Sequence, residues 1–323
     1  MATRRELLIL AAAASVEGVA APAWAQAWPS QPLRLLVGFA AGGNFDLVAR
    51  LLGPALAARL GQPVVVENRP GAGGNIATEA RVRAAPDGHT FLLAGAANAV
   101  NATLHEKLPF QFPADVDPVA GVVRFANVMT VSSTLPVNTV AEFIAYAKAH
   151  PGRVNQGSSG NGTTQHLAGE LFKSMTGVDL THVPYKGAAP AINDLLAGEV
   201  QVLFEALPAS LSFIRAGRLR ALAVTSAGRS EVLPSVPSLS ESLPGYEASG
   251  WTGLCAPRGS PAAVVDTVNQ AVNASLGDAV LRGRFIDLGA APMPGSAADF
   301  ARFIVTETDK WARVIRAGNI RLT

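Results

Sequence analysis

Leu33-Arg34-Leu35-Leu36-Val37-Gly38-Phe39-Ala40-Ala41-Gly42-Gly43-Asn44-Phe45-Asp46 is the stretch that decides how this chain folds. Its first five residues are a short apolar run that reads as a strand, and Ala40 to Gly43 form a glycine loop. Leu47, Leu51, Leu52, Leu56 and Leu60 then mark a helical stripe that stops at Gly61. A second strand at Val64-Val65-Val66, a helix from about Asn75 and a third strand over Thr90 to Leu93 follow. Short strands alternating with longer helices are the signature of βαβ units on a largely parallel sheet.

The same order recurs further along the chain. Val154 to Gln156 is a short strand, Gly157 to Gly162 a Gly/Ser loop, and Leu167, Leu171, Phe172 and Met175 a helical stripe. A strand near Thr181 to Pro184, a helix over Ala188 to Leu196 and a strand at Val200 to Phe204 complete the second βαβαβ half. Each half places a glycine loop at the carboxyl end of its first strand, the edge where open α/β sheets bind ligands. Two such edges facing each other form a clamp. The remaining elements are a strand around Trp251 to Ala256, a helix over Pro261 to Leu276 and a final helix over Ala297 to Ala317. With two small domains to host them, the chain is expected to cross near Phe125 to Val131 and to return between Arg220 and Gly250. The expected division is residues 26–126 with 226–323 as a discontinuous first domain, and 127–225 as the second.

The first 25 residues are read as a processing segment. Arg4 and Arg5 give a charged start, Leu7 to Val16 an apolar stretch too short to span a membrane, and Ala23-Trp24-Ala25 a cleavage site. The expected mature protein is exported to the periplasm and soluble there, and the paired arginines are compatible with the twin-arginine route. Removing the segment takes Arg4 and Arg5 with Glu6 and Glu17, so the net charge stays at +2. That balance, without any basic run, is no footprint for nucleic acid. Cys255 stands alone and is expected to pack as a small buried hydrophobe.

Both loops open helices. Asn44 reads as an N-cap, with Asp46 complementing the positive end of its helix. Ser158-Ser159-Gly160-Asn161-Gly162-Thr163-Thr164 repeats the design with hydroxyls, Thr163 or Thr164 capping and His166 in the first turn. Free amides at helix starts bind anions, and glycines let a ligand approach the backbone. Rival chemistries fit less well. Gly71-Ala72-Gly73-Gly74-Asn75 lacks the acidic residue that a dinucleotide site places after the next strand. Gly157-Ser158-Ser159-Gly160 is not a nucleophile elbow, and Lys186 lacks a phosphate-loop context. His89, His105, His150, His166 and His182 lack metal-ligand spacing. No catalytic residue, metal or cofactor is expected.

Across nearly the whole chain the sequence resembles the tripartite tricarboxylate transporter receptor (Bug) family. The resemblance is carried by Val64-Val65-Val66-Glu67-Asn68-Arg69-Pro70-Gly71-Ala72-Gly73-Gly74-Asn75, Ala85-Pro86-Asp87-Gly88, the 157–163 loop ahead of His166-Leu167-Ala168-Gly169-Glu170, His182-Val183-Pro184-Tyr185-Lys186-Gly187 and Leu243-Pro244-Gly245-Tyr246. It implies an α/β type II periplasmic-binding-protein fold: two βαβ-type domains joined by crossover strands around a cleft. It also implies a small carboxylate or amino acid ligand, docking on membrane permease subunits, and no membrane insertion. A monomer is expected. Carried over residue by residue, the ligand site comprises Phe39, Ala41, Gly42, Gly43, Phe45 and Asp46 from one loop. Ser159, Gly160, Asn161, Gly162, Thr163, Thr164 and His166 come from the other. Glu205 stands where the family often carries aspartate, just after its strand, and Gly38 and Phe45 replace the usual proline and small polar residue. Phe45 points to a more apolar or aromatic acid. An exported module that senses the same acids for a membrane partner is the alternative.

Overall fold

The computed structural model describes residues 28–105, 107–185 and 187–321, so the processing segment read at 1–25 and Lys186 lie outside it. The first half runs β1 (Leu33–Val37), α1 (Asn44–Leu60), β2 (Val64–Asn68), a 3-10 turn (Ala72–Gly74), α2 (Asn75–Val82), β3 (Thr90–Gly95), α3 (Ala96–Leu104) and β4 (Val116–Phe125). Then come β5 (Asn127–Ser132), α4 (Val140–Ala149), β6 (Asn155–Ser158), α5 (Thr164–Thr176), β7 (Thr181–Pro184), α6 (Ala188–Ala197), β8 (Val202–Ala206), α7 (Leu207–Arg215) and β9 (Leu219–Val224). The chain ends with α8 (Leu239–Ser242), β10 (Gly250–Pro257), α9 (Ala262–Leu276), α10 (Ala279–Asp287), β11 (Ala290–Pro292) and α11 (Ala297–Ala317).

These strands build two sheets, in the orders β11-β4-β10-β3-β1-β2 and β7-β6-β8-β5-β9. The protein is therefore a two-lobed α/β molecule in which the two βαβαβ halves superimpose in topology: β2-β1-β3 answers β7-β6-β8, each triplet parallel. The rest is antiparallel, because β10 and β5 arrive from the opposite sheet and insert beside β3 and β8. The sheets are thus mixed, not largely parallel, since a strand entering by direct crossover needs no covering helix and can run either way.

Only Ala126 separates β4 in one sheet from β5 in the other. The return path runs from β9 to β10. The two crossings are tied together where they pass. Asn127 donates its backbone N–H to Thr225 Oγ1 and its amide nitrogen to the Ala248 carbonyl, and Thr225 receives the Ala248 amide on its own carbonyl. Asn127 and Thr225 are buried.

Burial follows the periodicity with local exceptions. In α1 the buried stripe is Val48, Ala49, Leu52 and Leu56, while Leu47 at its exposed start and Met175 near the end of α5 face solvent. The strand read at Val200 to Phe204 begins two residues later and ends at Ala206, so Glu205 lies inside β8. Asn44 is the first helical residue of α1; Gly43 takes the extended N-cap conformation, so no side chain caps this helix. Cys255 is fully buried, and burial pushes its thiol up to about 12.

One hydrophobic cluster runs through both lobes, joining Leu92 and Val100 to Phe143, Phe172 and Phe204 by way of Trp311 and Ile315. α11, started by a Ser296/Asp299 capping box, packs against both α3 and α5. The indoles of Trp251 and Trp311 both donate to Glu307 Oε2, at 3.2 and 3.1 Å. Tyr246 Oη, fully buried, donates to the carbonyl of Ala168 on α5. Each such aromatic side chain contributes about 2–3 kcal/mol of burial. No described helix is long and apolar enough to cross a membrane.

Candidate functional site

Between the sheets lies a cavity of about 270 Å³. It forms where four strands end and helices begin. Asn44 and Phe45 open α1, Ala96 and Ala97 open α3, Thr164 and Gln165 open α5, and Ala206 precedes α7. The first amides of any helix have no acceptor within it, and the aligned peptide dipoles make that end positive. α1 and α3 carry no side-chain cap on their first-turn amides, which are left to whatever enters; α5 is capped by Thr163 Oγ1 accepting from His166 N–H, and at α7 the Leu207 N–H goes to the Ala126 carbonyl while Pro208 has no N–H to offer. Among the described residues, no Lys, Arg, His, Asp or Glu lines the cavity. Positive potential from the described lining therefore comes from the backbone.

The wall from the first lobe is aromatic. Phe39 and Phe45 pack at 4.4 Å between ring centres, with Phe125 completing the surface. The Phe45 ring packs against Gly95 at the end of β3: a Cβ there would come within 2.4 Å of its Cζ and 2.6 Å of the Trp251 carbonyl. Gly38 is similarly confined, since a Cβ would stand 2.7 Å from Gly74 Cα. The loop itself is held by Asp46, whose buried carboxylate accepts from the Gly42 N–H and from Arg50 Nε, each at 2.8 Å. The Arg50 hydrogen bond holds that carboxyl below its usual range. Gly42 adopts φ +82°, which favours glycine. Asn68 adds a hydrogen bond to the Phe39 carbonyl.

The wall from the second lobe is polar and backed by a buried network. Ser159 Oγ donates to Glu205 Oε2 at 2.5 Å, while Gln165 Nε2 and the Ala206 N–H reach Glu205 Oε1 at 3.0 and 2.7 Å. Glu205 is buried behind these residues. Burial raises its pKa, and the hydrogen bonds from Ser159, Ala206 and Gln165 oppose that shift. Thr163 Oγ1 donates to the Gly160 carbonyl at 2.7 Å, and Thr164 Oγ1 to Gln165 Oε1 at 3.2 Å. Beneath them the rings of His166 and His182 stack 3.7 Å apart. His166 Nδ1 accepts the Gly162 N–H, and Ser158 Oγ meets His182 Nε2 at 2.7 Å. Burial drives both histidines neutral, His166 to about 3 and His182 to about 4, helped by the nearby Lys173 charge.

The loop residues named from sequence divide three ways. Phe39, Gly43, Phe45, Ser159, Thr163 and Thr164 line the cavity. Asp46, His166 and Glu205 stand buried behind it and hold its walls. Ala41, Gly42, Gly160, Asn161 and Gly162 shape the turns, Gly162 close enough to the end of α3 that a Cβ would strike Leu104. Sequence reasoning did not place Asn44, Gln165, Ala96, Ala97, Phe125, Asn127, Ala206, Gly250 or Trp251 in the lining. Gln165 continues the second loop, and Ala96 follows Gly95 at the carboxyl end of the third strand, so sheet-edge logic reaches both. Phe125, Asn127, Gly250 and Trp251 sit on the crossings and carry no local signal.

A second cavity of about 240 Å³ lies beside the crossing segments, lined by Arg124, Arg229, Glu231, Glu247 and Ser249 among others. Its charges pair with side chains: Arg124 with Glu247, Arg229 with Glu241 and Arg282 with Glu231. It lacks the convergent helix starts of the interlobe cleft.

The model of the tripartite tricarboxylate transporter family receptor matches residues 48–320. Protein BugT of Bordetella pertussis is 36% identical over 321 residues, covering 98% of each chain. Among solved structures, R. palustris Rpa4515 with adipate is 38% identical with a TM-score of 0.79, over 91% of this chain and 99% of that one. MatC from Rhodopseudomonas palustris with bound malate is 32% identical with a TM-score of 0.75, over 89% of this chain and all of the other.

Proposed function

This chain belongs to the tripartite tricarboxylate transporter receptor family, a family of solute-binding receptors and not of enzymes, and from that premise we propose that it captures a small carboxylate in the periplasm and delivers it to a membrane permease. One observation carries the ligand class: helix starts converge on the cavity, those of α1 and α3 with uncapped first amides, and none of the described residues lining it is ionisable. Backbone amides at helix ends bind an anion without a counter-charge that would itself need desolvating. The adipate and malate held by two relatives support an acid of this size. The site is the set of cavity-lining residues together with Asp46, His166 and Glu205 behind them.

In this reading residues 1–25 direct export. Residues 26–126 with 226–323 form one domain and 127–225 the other, hinging at the paired crossings near Asn127, Thr225 and Ala248. Closure would bring the two loops onto the acid from opposite sides. The experiment is a thermal-shift and calorimetric screen of the purified protein against mono-, di- and tricarboxylates. A bound acid raises the melting temperature as its concentration rises over its Kd. If no acid shifts the transition and none co-purifies, the receptor reading falls.

A further inference from the structure

The second lobe lines the cavity with three hydroxyls, Ser159, Thr163 and Thr164. A hydroxyl has one proton to give and two lone pairs to receive with. Each of these three has spent its proton inside the protein. Ser159 gives it to Glu205, Thr163 to the Gly160 carbonyl and Thr164 to Gln165 Oε1. Gln165 turns its amide nitrogen to Glu205 as well. Asn127, on the adjoining crossing, directs one amide N–H to Ala248 and keeps its oxygen and its second N–H. The hydroxyls therefore meet a ligand only as acceptors. Donors in the cavity are the backbone amides of the helix starts and the side-chain amides of Asn44, Asn127 and Gln165.

Glu205 sets this polarity. Ala206 N–H can only donate, so Glu205 Oε1 accepts, and the neighbouring oxygen draws in the Ser159 proton at 2.5 Å. A carboxylate placed against the Ser159 lone pairs would meet like partial charge and lose a water it cannot replace. The acid group must sit at the amide donors, backbone and side chain, and whatever faces the hydroxyls must bring its own proton.

Resting on the receptor reading above, we propose that the site selects a carboxylate that also carries a hydrogen-bond donor, a hydroxyl or an ammonium, and that Glu205 is the specificity-determining residue because it turns Ser159 into an acceptor. It acts through Ser159 and is a positioning residue with no direct contact to the ligand.

Calorimetry with two matched series tests this: succinate, malate and aspartate, and phenylpropionate, phenyllactate and phenylalanine. In the series that binds, the hydroxy or amino member is expected to bind at least about tenfold tighter than the unsubstituted acid, the size of one well-formed hydrogen bond. Which of the two wins tells hydroxyl from ammonium. In Glu205→Gln the new amide can donate to Ser159 Oγ and release its proton toward the cavity, so the preference should collapse or invert. Ser159→Ala should erase it and Ser159→Thr retain it. An unsubstituted acid that binds as tightly as its derivatives overturns this inference and leaves the receptor reading standing. So does a Glu205→Gln protein that binds every member more weakly by one common factor. Failure of every acid to bind overturns both.

Discussion

Two loops occupy equivalent places after the first strand of each lobe, yet they are held by opposite means. The loop at 38–43 is largely exposed, glycine-capped and tethered chiefly through one buried carboxylate, Asp46, with aromatic rings toward the cavity. The loop at 158–163 is half-buried and held by several side chains: Thr163 caps, His166 takes the Gly162 amide, Ser158 meets His182 and Ser159 meets Glu205. Topology fixes where a binding loop goes. It leaves open whether backbone or side chains keep it in shape. One lobe offers bare amides and apolar surface, and the other a rigid array whose hydrogen-bond directions are already assigned.

The comparison can be broken most easily at Asp46. Its loss in Asp46→Ala strands the Gly42 amide and frees Arg50, a charged hydrogen-bond pair at a helix start. About 1.5–3 kcal/mol of stability and a tenfold to hundredfold loss of acid affinity are expected. Denaturant midpoints and calorimetry read both effects. Thr163→Ala in the other loop should cost less, about 1 kcal/mol and about fivefold in affinity, because His166 and Ser158 still hold the turn. If the two variants behave alike, the lobes do not differ as described.

The smallest effect is the part of the pH dependence that the second lobe's histidines contribute. His166 and His182 are held neutral in the fold at about 3 and about 4, while unfolded histidine titrates near pH 6.5. Between those values the unfolded chain takes up protons that the folded one refuses, so stability falls as pH drops through that window. Lys173 and Glu170 flank the pair and belong to the same element. Glu205, whose burial raises its pKa, works in the opposite direction. Asp46, lowered by its hydrogen bond from Arg50, adds to the decline only toward the acid end of the window. Urea midpoints from about pH 7 to about pH 4.5 should therefore decline less steeply in His182→Gln than in the parent. An unchanged slope would remove the histidine pair from this account.

Much of the architecture was legible because each element is a local pattern. The strand at Leu33, the helix ending at Gly61 and the final helix over Ala297 to Ala317 each follow from apolar spacing and a terminating residue. Boundary errors arose where competing local signals were equal. Asn44 is a good capping residue, but the preceding glycine reached the extended conformation first. Glu205 illustrates a deeper limit. Its position beside the cleft followed from the strand it was expected to follow, while its orientation depended on Ser159 in the second loop, Gln165 on α5 and the Ala206 amide on its own strand.

By itself, then, the sequence determined two βαβαβ halves and a glycine loop at the head of each, and from these came the proposal of an anion site made of helix starts. Period and capping chemistry act between residues a few positions apart, and a single chain displays them. Only the tertiary structure decided that Phe125, Asn127, Gly250 and Trp251 close the cavity from the crossings, and that the hydroxyls of the second loop turn their protons away from it. Both depend on contacts between segments far apart in the chain, where the direction of a single proton is set by whichever buried carboxylate or carbonyl the fold brings within reach.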